Sequence, residues 1–120
     1  MKFTSLIASA IIAAAPGFAS AGTAKCLLEI GGKKIIDGPC IFSPQSGGSF
    51  MIGSTKTAEG RWGPISEFYA SVLIESPGVA SAFWNEEPFA GHAHSTLGTV
   101  RRSGEDRACW ENSKAKICAW

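Results

Sequence analysis

Both histidines of the chain sit within one tripeptide, His92-Ala93-His94. On an extended segment, alternation turns both imidazoles to one face, the arrangement used by strand-borne metal pairs. Glu86 and Glu87 lie a few residues upstream and offer oxygen ligands. His92 and His94 are therefore the candidate metal ligands. The pair lacks a defined third donor, and a metal site needs convergent ligands. The competing expectation is two rim histidines making local hydrogen bonds. Ser95 adjoins His94, but neighbours on a strand point apart, which opposes a Ser–His relay. No G-x-S-x-G is present. Glu86 and Glu87 diverge in the same way, and so short a chain offers little room for a sugar cleft between paired carboxylates. The chain is expected to be no enzyme and to use no cofactor.

A second constellation is the C-terminal stretch Cys109 to Trp120, C-W-E-N-S-K-A-K-I-C-A-W. Folded about Ser113-Lys114, it sets Cys109 opposite Cys118, Trp110 opposite Ile117 and Glu111 opposite Lys116. One fold line thus brings a disulfide, an aromatic–aliphatic pair and an opposite-charge pair into register. The tip carries turn-prone Asn112 and Ser113, with Lys114 at its apex. A turn ordered in this way loses little entropy on meeting a partner. Asn112, Ser113 and Lys114 are accordingly candidate binding residues. The alternative is a stapled turn that meets no partner.

Four tryptophans, Trp62, Trp84, Trp110 and Trp120, are many for 120 residues. Trp84 and Trp110 fall inside expected strands and are expected to fill the core. Trp62, beside Gly63-Pro64, and Trp120, at the terminus, are candidates to stack on sugar faces or to anchor an interface.

These residues need elements to position them. Met1 to Ala21 reads as a cleaved secretory signal peptide: Lys2, the uncharged run Leu6 to Ala15, then Ala19-Ser20-Ala21 as a small-x-small site. Pro16-Gly17 interrupts the run, which is too short to cross about 30 Å of hydrocarbon. Lys25 precedes Cys26, where a lipid-attachment signal would want a small residue. The product is thus expected to be exported, periplasmic or secreted, with no transmembrane anchor in the mature chain. Residues 22–120 form one domain of roughly 100 residues. The chain has 11 basic and 10 acidic residues, and loss of Lys2 balances them. A neutral chain argues against a nucleic-acid partner and against electrostatic membrane docking. Arg101, Arg102 and Arg107 form a small basic cluster, but Glu105 and Asp106 sit among them, as in an ordinary mixed-sign surface.

All four cysteines lie beyond Ala21, and an even number in an exported chain implies two disulfides. Cys26–Cys40 and Cys109–Cys118 are favoured, because each pair brackets a hairpin-like segment. Closing such loops adds about 3 kcal/mol per bond on an entropic model. Zinc is disfavoured by the absence of any C-x2-C spacing.

The first bracketed segment runs Cys26 to Ile30, turns at Gly31-Gly32, and returns over Lys33 to Asp37. Gly38-Pro39 is expected to end it. Ser43 to Ser49 reads as a loop, Phe50 to Ile52 as a short strand, and Thr55 to Arg61 as polar and ambiguous. Phe68 to Ile74, Val79 to Trp84 and Thr96 to Arg102 are further strands, with Asn85 to Gly91 a longer loop at one rim. No helical periodicity follows residue 22. The expected fold is all-β, a small disulfide-stabilised antiparallel meander of about seven to nine short strands closed as a barrel or folded as a sandwich.

In size, export and strand content the chain resembles the exported, disulfide-stabilised β-domains of bacteria that include periplasmic lysozyme inhibitors. That resemblance carries no site residue across. Binding is expected ahead of catalysis: an inhibitor or immunity-type protein acting on a cell-wall hydrolase or another envelope or host protein. The alternative is a periplasmic metal- or glycan-binding module using His92 and His94 or the exposed tryptophans.

Overall fold

The computed structural model describes residues 22–120; the expected signal segment lies outside them. The first hairpin pairs β1 (Gly22–Ile30) with β2 (Lys33–Pro44). β3 (Phe50–Ser54) returns along β2, and β4 (Thr57–Gly60) with β5 (Gly63–Ser66) makes a separate two-stranded hairpin. β6 (Tyr69–Ser76), β7 (Val79–Trp84), β8 (Ser95–Arg102), β9 (Cys109–Glu111) and β10 (Ala115–Ala119) follow. Eight strands close into an antiparallel barrel in the order β1-β10-β9-β8-β7-β6-β3-β2. Sequence neighbours are neighbours around the wall, so this is an up-and-down meander carrying one inserted hairpin. Among the described residues the helical content is one 3-10 turn, Ser46–Gly48, and no helix is long and apolar enough to cross a membrane.

The fold class is as expected, and the sandwich alternative gives way to the barrel. Two local expectations are corrected. The ambiguous stretch Thr55 to Arg61 is strand and turn, and its hairpin raises the strand count to ten. Gly38-Pro39 does not end the second strand, which runs on to Pro44. Pro39 faces Lys25 on β1, while pairing of β2 with β3 begins only at Cys40. Pro39 therefore occupies an edge position, where a missing N–H breaks no ladder bond.

Alternation selects the interior. Leu28, Ile36, Ile52, Val72, Val100, Trp110 and Ile117 are buried, with Ala70, Ala80 and Ala82 as small partners. An eight-stranded barrel is just wide enough for such side chains to fill. Leu97 joins them through a bulge: Ala82 faces Gly98 whereas Phe83 faces Thr96. Gly98 takes φ 87 there, a conformation that glycine adopts without steric cost.

Both disulfides form as expected, Cys26–Cys40 and Cys109–Cys118. They lie on opposite faces of the wall. Cys26 and Cys40 belong to the packed interior. Cys109 and Cys118 alternate with the interior residues Trp110 and Ile117 and so face outward, although both are buried. The terminal hairpin has the register read from its sequence, Cys109 with Cys118, Trp110 with Ile117 and Glu111 with Lys116. β10 also pairs with β1, setting Ile117 against Leu28. Ile117 thus packs where the first and last described strands meet.

Ile117→Ala removes buried methyl groups at that seam and should cost about 2–5 kcal/mol. In thermal unfolding followed by circular dichroism, the midpoint should fall by about 10 °C or more for a domain of this size. Leu73→Ala, on an exposed outward position, should leave it nearly unchanged.

Candidate functional site

In an up-and-down barrel, alternate connections share an end. The β1–β2 turn, the β3–β6 connection with its inserted hairpin, the β7–β8 loop and the β9–β10 turn therefore crowd one rim. Asn112, Ser113, Lys114, Trp62, His92 and His94 all lie on these four connections. Trp120 lies at the other end.

The β9–β10 turn is held by Asn112. Its Oδ1 accepts from the backbone N–H groups of Lys114 and Ala115, each at 2.8 Å. Its Nδ2 donates to the carbonyls of Leu97 and Thr99, each at 2.9 Å. β9 is three residues long and pairs with β8 only through Glu111 and Trp110. The Asn112 amide supplies the donors that a longer strand would have offered to the carbonyls flanking the bulge. Asn112 was a candidate for binding; its hydrogen-bonding groups are engaged within the fold. Gly31 N–H donates to Lys114 O at 2.8 Å, tying the two turns together. Ser113 and Lys114 are exposed at the tip. Lys114 forms no ion pair among the described residues.

The β4–β5 hairpin is a flap rooted at Ser54. Ser54 N–H donates to Phe68 O, and Phe68 N–H donates to Ser54 Oγ. The flap bends over the outer wall, where a cleft of about 400 Å³ opens between Ile65 and Pro64 above and Ile41, Met51 and Tyr69 below. Burial pushes the Tyr69 phenol above its ordinary pKa. At the flap tip Trp62 is 92% exposed, with the Arg61 guanidinium 5.4 Å from its ring centre. Few tryptophans stand so far into solvent, because the ring carries a large apolar area.

The flap leans on the β7–β8 loop, which Asn85 organises. Asn85 is 0% exposed. It accepts from Tyr69 N–H at 3.0 Å and donates to the carbonyls of Glu67 and Glu87, each at 3.1 Å, and of Ala90 at 3.3 Å. Phe89 N–H donates to Glu67 O at 2.8 Å. The loop holds two non-glycine residues at positive φ, Glu86 and Phe89. That conformation persists only where surrounding contacts over-determine it. A groove of about 430 Å³ lies between flap and loop, lined by Arg61, Trp62, Pro64, Ile65, Gly91 and His92.

His92 and His94 lie before β8, outside regular strand, so the expected strand alternation does not apply to them. His94 Nδ1 bonds to the carbonyl of His92 at 3.1 Å. Ser95 Oγ donates to Glu86 Oε1 at 2.5 Å. Among the described residues no cluster of three or more His, Cys, Asp or Glu could hold a metal ion. Arg61 and Asn85 carried no signal in the sequence beyond their polarity. Only the fold places one beside Trp62 and the other beneath the loop.

At the far end, Trp120 is 52% exposed. Its Nε1–H donates to Asp106 Oδ2 at 2.9 Å, and Lys25 Nζ lies 5.8 Å from its ring centre. The indole bond, followed by the Ala108 N–H and the charge of Lys116, holds the Asp106 carboxyl below its ordinary pKa despite some desolvation.

Two outcomes follow from this geometry. Asn112→Ala strands two carbonyls and two N–H groups and should cost about 1–3 kcal/mol in denaturant unfolding. Amide exchange at Lys114 and Ala115 should quicken beyond that global loss. For Asp106, the folded carboxyl titrates below the unfolded one, so its stabilisation is complete above the ordinary value of 3.8 and vanishes as pH falls through the depressed pKa. The Trp120 indole N–H resonance should report that midpoint, and Asp106→Asn should abolish the titration. Comparison of the chain with protein-family models, with curated proteins and with solved structures found no match to any of them.

Proposed function

We propose that this is a non-enzymatic exported binding protein that engages a partner protein with the loop-bearing rim of its barrel. The reading is of an inhibitor or immunity type, with Lys114 entering an acidic cleft such as that of a cell-wall hydrolase. The observation that carries it is the clamp on the β9–β10 turn. Two hydrogen bonds donated and two accepted by the Asn112 side chain, with the disulfide at the hairpin's base, order a loop whose apex is a lysine without an ion-pair partner among the described residues. Ordering before binding lowers the entropy lost on association. The exposed Trp62 with Arg61 adds residue types that dominate interface energetics. Two disulfides fit an oxidising compartment.

The test begins with the mature protein immobilised against envelope and host-fluid extracts, and continues with the affinity of the captured protein. A desolvated charge pair costs about 2–5 kcal/mol when one side is truncated, so Lys114→Ala should weaken binding by about two to three orders of magnitude. Lys25→Ala, at the opposite end, should leave affinity unchanged. Equal affinities for Lys114→Ala and the native chain would reject loop insertion.

A glycan-binding reading is favoured by one observation, the groove in which Trp62 meets Arg61 and His92. It predicts that Trp62→Ala, and not Lys114→Ala, abolishes retention on purified peptidoglycan.

A further inference from the structure

The barrel end opposite the loop-bearing rim carries a cleft of about 480 Å³ between the Ser46–Gly48 turn, the Pro77-Gly78 turn and the end of β8. Two guanidinium-bearing residues, Arg102 and Arg107, line it, together with Ile74, Pro77 and Trp110. We propose that this cleft binds a small organic oxyanion, a carboxylate or phosphate group carried on an apolar body.

Charge is the first argument. In the sequence, Arg101, Arg102 and Arg107 are interleaved with Glu105 and Asp106 and read as a balanced surface. The fold separates the signs. Arg101 sits opposite Glu111 in the strand register and does not line the cleft. The Asp106 carboxylate is drawn away by Trp120 Nε1–H and by the Ala108 N–H. Glu105 does not line the cleft, and neither does any other carboxylate. Neither Arg102 nor Arg107 forms an ion pair among the described residues. Two like charges facing one concave surface raise the local positive potential, and an anion relieves it.

Rigidity is the second. The Arg102 guanidinium lies 4.6 Å from the ring centre of Trp110, which is buried in the core, so its plane has a fixed support. Arg102 N–H donates to Gly78 O at 3.0 Å, joining β8 to the β6–β7 turn. Ile74 N–H donates to Ser49 Oγ at 2.9 Å, joining β6 to the segment after the 3-10 turn. The cleft walls are thus tied to each other. A planar guanidinium held in place matches the two oxygens of a carboxylate or phosphate. Ile74 and Pro77 supply an apolar flank, which a bare inorganic ion would leave uncovered.

The inference does not rest on the proposed partner binding, which uses the other end. Hexanoate, hexyl phosphate and hexanol serve as probes, each titrated into isotopically labelled protein. The Gly78 amide, the Ile74 methyls and the Arg102 and Arg107 side-chain N–H signals are followed. Either anion, or both, should shift these signals saturably; which one binds assigns the headgroup. Hexanol should not. Arg107→Gln, an exposed position, should weaken binding by about tenfold or more, and added salt should do the same. Arg102→Lys keeps the charge and loses the fork, so it should weaken binding less than Arg102→Gln. Saturation by hexanol equal to that by the anions, no saturation by either anion, or unchanged affinity in Arg107→Gln would overturn the proposal.

Discussion

Everything in this molecule depends on β1 meeting β10. Without that pairing the chain is an eight-stranded ribbon with two bare edges and an unfilled concave face. With it, the edges vanish and Leu28, Trp110 and Ile117 come to lie side by side across three strands. Closure joins residues near the beginning of the domain to its last residues, so a long loop must be closed before any contact repays it. The two disulfides act on this problem locally. Each staples one of the two hairpins that must meet, Cys26–Cys40 in the first and Cys109–Cys118 in the last. Each hairpin then arrives as a constrained unit, and the seam has only to bring two such units together.

A closed wall makes strict demands on polar groups, and the strands here are of unequal length. β9 is too short to satisfy β8, and β7 stops before the loop that follows it is in place. An asparagine side chain covers each shortfall. Asn112 stands in for missing strand at the β8–β9 seam, and Asn85 gathers an N–H and three carbonyls beneath the β7–β8 loop. An amide offers two donors and an acceptor in one plane, much like a peptide group. The same two residues also set the outline of the loop-bearing rim, since one orders the Lys114 turn and the other supports the groove beside Trp62. Backbone satisfaction and surface shape are therefore one problem at this end of the barrel.

The barrel's ends differ in character. One carries the flap, the long loop and two tight turns, with Trp62 standing into solvent. Among the described residues, the other lacks any inserted hairpin and carries both termini, with Asp106 held by Trp120 and two arginines left around a cleft. The distribution follows from strand direction alone, which sends alternate connections to opposite ends.

Much of the architecture was legible from residue types and spacing. The terminal hairpin's register followed from three cross-strand pairs sharing one fold line, and both disulfides from the segments they bracket. Strand content followed from β-branched and aromatic runs between Gly and Pro, because local pleat and turn chemistry act over a few residues. The tertiary structure decided what depends on distant neighbours. β2 continues through Pro39 because its other neighbour has not yet begun there. The polar stretch after Thr55 becomes a hairpin because it has a wall to fold against. Arg61 and His92 come to border one groove with Trp62, while Asp106 is parted from the arginines beside it in sequence. Sequence spacing fixes which side of a strand a residue takes; only closure of the barrel decides what waits there.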